Sequence, residues 1–235
     1  MSSSLPDLSN QDEAKHILQR YNMAKAHNIV YTFDELKDLD VPADFLLALV
    51  EVFEDQTVFK PTNFDRFSLR VIIDYLRKTH SYYLDKKLLE IEQSIHLLVN
   101  AYSGAHPLLV LLHNFYTDYK GHLSRHIEME ERELLPYIIE LEQAFDANQK
   151  LKAVPSMTVK KFISQHHDTE KDLEEVRKTI LSYSPPEGNQ TLYRILLSQL
   201  QVFEKDMAVH AQIEDDVLLP RALALEHKLL PADSY

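Results

Sequence analysis

From Asn63 onward the apolar residues of this chain return at every third or fourth position, a spacing that buries one face of an α-helix and does not suit a strand. Ile73, Leu76, His80, Leu84, Leu88, Ile91, Ile95 and Leu98 form one such stripe, with a histidine inside it. Ser103-Gly104 interrupts the pattern and Pro107 opens a second helix that runs to about residue 145. A polar stretch from Asp146 to Pro155 leads to a third helix over about 157–182, and Ser184-Pro185-Pro186-Glu187-Gly188-Asn189 stops it. A fourth helix follows to about Leu219, where Pro220 breaks or kinks it. Four long helices with short joints predict an antiparallel up-down four-helix bundle over 63–235. Only three glycines occur, too few for strands joined by tight turns, so the fold class is all-α.

Residues 1–62 read as a small N-terminal helical region, with helices over 9–28 and 32–60. Val41-Pro42-Ala43-Asp44 marks a helix start, since proline's missing N–H costs nothing in the first turn. Phe59-Lys60-Pro61-Thr62-Asn63 is the connection to the bundle.

The second and fourth helices share a longer pattern. One reads His126-Ile-Glu-Met-Glu130-Glu-Arg-Glu-Leu134-Leu135-Pro136 and ends Leu141-Glu142. The other reads His210-Ala-Gln-Ile-Glu214-Asp-Asp-Val-Leu218-Leu219-Pro220 and ends Leu225-Glu226, at a constant offset of 84 residues. Residues four apart lie on one helical face, about 6 Å apart along the axis, so an imidazole and a carboxylate can reach one centre from the same helix. Both pairs occupy the apolar stripe: Tyr119, Leu123, His126, Glu130 and Leu134 on one helix, Phe203, Met207, His210, Glu214 and Val217 on the other. A buried carboxylate needs a cation, and no Lys or Arg falls in either stripe near the glutamates. A metal ion supplies that charge.

Residues equally distant from the turn of an antiparallel hairpin lie level with each other. His80 and His126 are each 23 residues from Ser103. His126 and His167 are centred between Asp146 and Ala147, and His167 and His210 between Gly188 and Asn189. One histidine per helix therefore falls at one level. His166 competes with His167, because the periodicity through Phe162, Thr169, Leu173 and Val176 puts His166 on the stripe while the hairpin level selects His167. His122 and Asp206 lie one turn before His126 and His210, where each could brace a ligand or replace one; a solvated helix face accounts for them equally well.

Four imidazoles and two carboxylates without thiolate suit a pair of borderline ions bridged by the carboxylates. Bundles of this kind hold di-iron centres, although zinc or manganese would accept the same donors. With no cysteine in the chain, thiolate metal sites, Fe–S ligation and thiol catalysis are excluded. Lys plus Arg is 25 against 37 Asp plus Glu, a net charge of −12 with no basic cluster, which argues against nucleic acid and anionic membranes as partners. Neither a signal peptide nor a membrane-spanning apolar run is recognisable, so a cytoplasmic location is expected.

These residues resemble the hemerythrin-like, HHE cation-binding family, and within it the bacterial proteins for repair of iron centres. The likeness covers about residues 64–228 and rests on the His80 helix, His126-x-x-x-Glu130-Glu131 before Leu135-Pro136, His167-Asp168, and His210-x-x-x-Glu214 before Leu219-Pro220-Arg221-Ala222. The resemblance implies that His80, His126, His167 and His210 ligate two irons, oxo- or hydroxo-bridged, with Glu130 and Glu214 bridging. Its His-Asp pairing also favours His167 over His166. It further implies a role in restoring Fe–S clusters damaged by oxidative or nitrosative stress, with a damaged Fe–S protein and a diatomic gas (O2 or NO) as partners. The alternative is an O2- or NO-responsive sensor or binding module coupled to residues 1–62. Oxygen-carrying hemerythrins place a second histidine four residues on in the third helix; Lys171 stands there, and the last motif is His-x-x-x-Glu, so O2 carriage is disfavoured.

Overall fold

A computed structural model describes residues 17, 19–21, 41–102, 107–151, 156–165, 178 and 190–230. Among them every regular element is helical and none is a strand. Helix α1 spans Ala43–Glu54, and two 3-10 turns, Gln56–Val58 and Pro61–Phe64, carry the chain to the bundle. The first long rod is α2 (Leu69–Tyr82), a π turn (π1, Tyr83–Lys87) and α3 (Leu88–Ala101). The second is α4 (Pro107–Met129), π2 (Glu130–Leu134) and α5 (Leu135–Asp146). Helix α6 (Val159–Gln165) lies where the third helix is expected, and α7 (Gln190–Ile213), π3 (Glu214–Leu218) and α8 (Leu219–Leu229) form the fourth rod. The described residues form an all-α helical bundle.

The expected boundaries shift in four places. Of the helix expected over 32–60, residues 32–40 lie outside the described residues; from Val41 on it runs over Ala43–Glu54, with Pro42 as the residue that caps it rather than its first helical position. Pro220 does not end the fourth helix: π3 precedes it and α8 continues to Leu229. On the first rod the stripe is out of phase at one position. Tyr83 is fully buried where Leu84 was expected, and the buried face then resumes at Leu88, because π1 inserts an extra residue into the turn. Most of the 9–28 and 157–182 helices, and the Ser184–Asn189 stop, lie outside the described residues.

The buried apolar residues form two clusters. One joins Leu69, Ile73 and Leu76 to Leu134, Ile138, Val209 and Ile213, and takes in Ile17, Phe45, Leu49 and Phe53 from the first part of the chain. The other joins Tyr83, Leu88 and Ile91 to Tyr116, Leu123, Leu200 and Met207. His80 and Glu130, both buried, fall between the two clusters in sequence on their rods, and His210 and Glu214, also buried, follow the changeover from Met207 to Val209 on the fourth.

The glutamates that end the repeated pattern fix how the rods stand. Glu142 accepts the backbone N–H of Leu69 at 2.7 Å, and Glu226 that of Val159 at 2.6 Å. Each carboxylate thus satisfies a donor in the first turn of a neighbouring helix and meets its positive end. Asn148, at φ 53°, takes the left-handed conformation just past α5, with Gln149 N–H bonded back to Ala144 O at 2.8 Å. Glu226 is fully buried, whereas 13% of the Glu142 side chain stays exposed. Glu226→Ala should therefore cost roughly 1–3 kcal/mol of stability, and Glu142→Ala less. Urea unfolding of the two variants would measure this; equal losses would refute the dependence on burial.

Candidate metal centre

Three of the rods deliver donors to one buried layer. His80, near the end of α2, has Nε2 3.0 Å from His210 Nε2 and 3.2 Å from Glu130 Oε2. His126, at the end of α4, has Nε2 2.6 Å from Glu130 Oε1. On the fourth rod His210 Nδ1 stands 3.9 Å from Glu214 Oε2. The ligand atoms of His126, Glu130 and Glu214 lie within 4.8 Å of one another. The His80, His126, Glu130, His210 and Glu214 side chains thus come together; His166 and His167 lie outside the described residues. His122 is exposed on the outer side of α4. Asp206 is buried, and its Oδ1 accepts hydrogen bonds from Arg20 and from the Tyr83 hydroxyl at 2.8 Å.

The donors suit a cation better than they suit each other. Imidazole nitrogens flank both Glu130 oxygens, yet neither oxygen receives a well-aligned hydrogen bond. Two imidazole Nε2 atoms 3.0 Å apart cannot both direct lone pairs at each other without a proton or a metal between them. Nitrogen and carboxylate donors together fit a borderline divalent ion.

A residue missed by the sequence reading sets the orientation of His80. Glu131 Oε1 lies 2.7 Å from His80 Nδ1, and its Oε2 accepts Arg77 Nε at 3.1 Å. A carboxylate only accepts, so Nδ1 carries the proton and Nε2 faces the centre. The available signal was the repeat itself, since Glu131 and Asp215 sit at the same place in both copies. Arg20 and Tyr83 carried no such signal.

The layer's electrostatics are those of a site prepared for positive charge. Burial pushes Glu130 up, but His126 and His80 outweigh it and hold its carboxyl well below the usual range. Burial, and then the charge on Glu130, pushes Glu214 well above that range. Burial opposes a charge on His80, yet Glu130 and Glu131 raise it to about 9. His210 is driven down by burial and by His80. A small cavity of about 20 Å³ adjoins the donors, walled by Tyr83, Leu123, His126, Met207, His210 and Glu214. It has room for one water-sized molecule.

A family model described as the hemerythrin HHE cation binding domain matches residues 71–222. The chain belongs to the hemerythrin HHE cation-binding family. Among curated relatives, an iron-sulfur cluster repair protein ScdA of Staphylococcus epidermidis is 23% identical over 150 residues, 64% of this chain and 65% of that protein. The ScdA protein of Staphylococcus haemolyticus is 20% identical over 147 residues, 63% of this chain and 64% of that one. The iron-sulfur cluster repair protein YtfE of Pectobacterium carotovorum is 31% identical over 112 residues, 48% of this chain and 47% of its own length. The chain thus spans less than two thirds of the length of these relatives. Among the described residues of this HHE protein, no helix is long and apolar enough to cross a membrane.

Two outcomes follow for the centre. Glu131→Gln should weaken metal binding by roughly 10–100-fold while leaving the helices intact, measured by competition with a chromophoric chelator and by circular dichroism. In the metal-free protein His80, raised to about 9, holds its proton at neutral pH, and burial and Glu130 push Glu214 toward its protonated form. Ligation must displace those protons, so metal binding should release them and tighten as pH rises toward about 9. Calorimetric titration in buffers of different ionisation enthalpy reads this directly; an enthalpy independent of buffer would contradict it.

Proposed function

We propose that this HHE protein holds two iron ions between His80, His126, Glu130, His167, His210 and Glu214, with the two glutamates bridging them, and serves the repair of Fe–S clusters damaged by oxidative or nitrosative stress. The observation that carries the metal reading is the buried convergence of His80 Nε2 on His210 Nε2 at 3.0 Å and on Glu130 Oε2 at 3.2 Å. The repair reading is supported by the relatives, whose names describe iron-sulfur cluster repair. When bound, iron would supply one-electron chemistry and open positions for a small ligand. The chain's own residues do the rest. His80, His126 and His210 present nitrogen donors, Glu131 keeps His80 in the ligating tautomer, and the apolar clusters on either side exclude bulk water. The chain has no thiol, so repair would proceed without one.

A second reading, a gas-responsive sensor, has one observation in its favour. Ile17 and Tyr21 pack into the core that holds the metal layer, so a change at the centre has a route into residues 1–62, which this reading treats as a region distinct from the bundle over 63–235.

Iron-supplied protein should carry two irons per chain by elemental analysis. Glu130→Ala and Glu214→Ala should each lose metal and keep most of their helix content, and His167→Ala should cost more iron than His166→Ala. Folded wild-type protein with one ion or none would end the di-iron reading. Loaded protein should also restore activity to a nitric-oxide-treated [4Fe–4S] dehydratase faster than free ferrous ion does. Equal rates would remove repair and leave the sensor.

A further inference from the structure

Arg20 is a buried cation built into the wall of the metal layer from outside the four rods. Its side chain is 0% exposed, and its Nη2 donates to Asp206 Oδ1. Nη1 donates to Tyr75 Oη at 2.9 Å and to Thr79 Oγ1 at 3.1 Å. The guanidinium carbon also lies 5.4 Å from the ring centres of Phe53, Tyr75 and Tyr82, and 5.9 Å from that of Tyr83. A buried ion pair is a poor way to gain stability, since well-packed apolar side chains often do as well; its fixed geometry is what apolar packing lacks.

That geometry ends at the metal layer. Asp206 stands one turn before His210 on α7, and Tyr83 donates its hydroxyl to the same Oδ1 that Arg20 holds, at 2.8 Å. The Tyr83 ring meets Phe203 edge-on at 5.0 Å and His210 at 5.8 Å. It also forms one wall of the cavity of about 20 Å³ beside His126, His210 and Glu214. Tyr83 opens π1, the turn that brings this ring into the core in place of Leu84.

We propose that Arg20 is a positioning residue for the metal centre: through Asp206 it holds Tyr83 against His210, so that the N-terminal segment fixes the size of the ligand cavity. The inference rests on the metal-centre reading above. It assigns to the cavity a ligand whose inserted end is no wider than a water molecule, such as water, a diatomic gas or a linear anion entering end-on, and it excludes planar rings. It also couples two distant parts of the chain, because a residue that steadies the centre is in turn steadied when the centre is filled.

Full-length protein loaded with cobalt(II) provides the test, with azide and imidazole as probes and the visible absorption band as the readout. Wild type should respond to azide and not to imidazole. The paired variant Arg20→Met/Asp206→Asn leaves no unpaired charge; it should load the same amount of cobalt, show a shifted band and admit imidazole. Tyr83→Phe keeps the ring and loses only its hydrogen bond to a charged acceptor. In metal-free protein it should be cut by trypsin after Arg20 about tenfold faster than wild type, and cobalt should slow the cut in wild type. Failure of wild type to take up cobalt would overturn the centre itself. Normal loading with an unshifted band and unchanged exclusion of imidazole in the paired variant, or cleavage indifferent to both Tyr83→Phe and cobalt, would overturn the role of Arg20 while leaving the centre standing.

Discussion

A layer of imidazoles and carboxylates buried between two apolar clusters is the constraint that the rest of this protein answers to. A carboxylate removed from water without a cation is held at a cost of several kcal/mol. Without metal the protein meets that cost by dividing protons between neighbours. Glu130 stays ionised because His126 and His80 lie against it, and Glu214 is driven toward its neutral form. A pair of glutamates pushed in opposite directions is a site waiting for more positive charge, which one or two divalent ions provide. The donors also come from separate rods, so an error of an ångström in the height of any rod would disperse them. The crossed caps, Glu142 on α2 and Glu226 on α6, set those heights from the far ends of the second and fourth rods.

The π turns belong to the same solution. Leu135 N–H bonds to Glu130 O and Leu219 N–H to Glu214 O, five residues back in each case. One residue later stands a proline, Pro136 or Pro220, with no N–H to give and a ring that would strike the carbonyl four residues before it. Widening the turn moves that carbonyl aside and lets the rod continue. The extra residue also lets Leu134 and Leu135, and likewise Leu218 and Leu219, all be buried beneath the glutamates. Helix continuity and ligand placement thus have one cause in both copies of the repeat.

Much of this was legible before any coordinates. Most of the stripe from Ile73 to Leu98, the helix start at Pro107, and the His-x-x-x-Glu pairs are local patterns, and α-helical geometry translates them directly into faces and levels. The pattern's last residues, Glu142 and Glu226, were visible as a repeat, but their job was not, because each acts on the first turn of another helix. Tyr83 was missed for a related reason: no proline marks π1, and a regular period carried past it selects Leu84. Arg20 left no trace at all. One basic residue in a polar stretch reads as surface, and only the fold shows that Asp206 is there to receive it.

The repeat also shows what the N-terminal segment adds. His122 and Asp206 occupy the same position in the two copies, one turn before His126 and His210, yet His122 is exposed and Asp206 buried. Nothing in the helices themselves accounts for the difference, since both rods carry the same stripe at that level. Arg20 does: it covers the fourth rod at Asp206 together with Tyr75, Thr79 and Tyr83 of the first. Two rods built to one pattern are thereby made unequal. On the second rod His122 is exposed and the His126 side chain keeps 11% of its surface exposed, while His210 is backed by an ion pair and a ring. A two-metal centre bridged by Glu130 and Glu214 would inherit that inequality, with one half fixed by the N-terminal segment and the other nearer to solvent. Chemistry that needs one ion to stay and the other to exchange a ligand, or to leave, requires such a difference, and a symmetric bundle would not provide it.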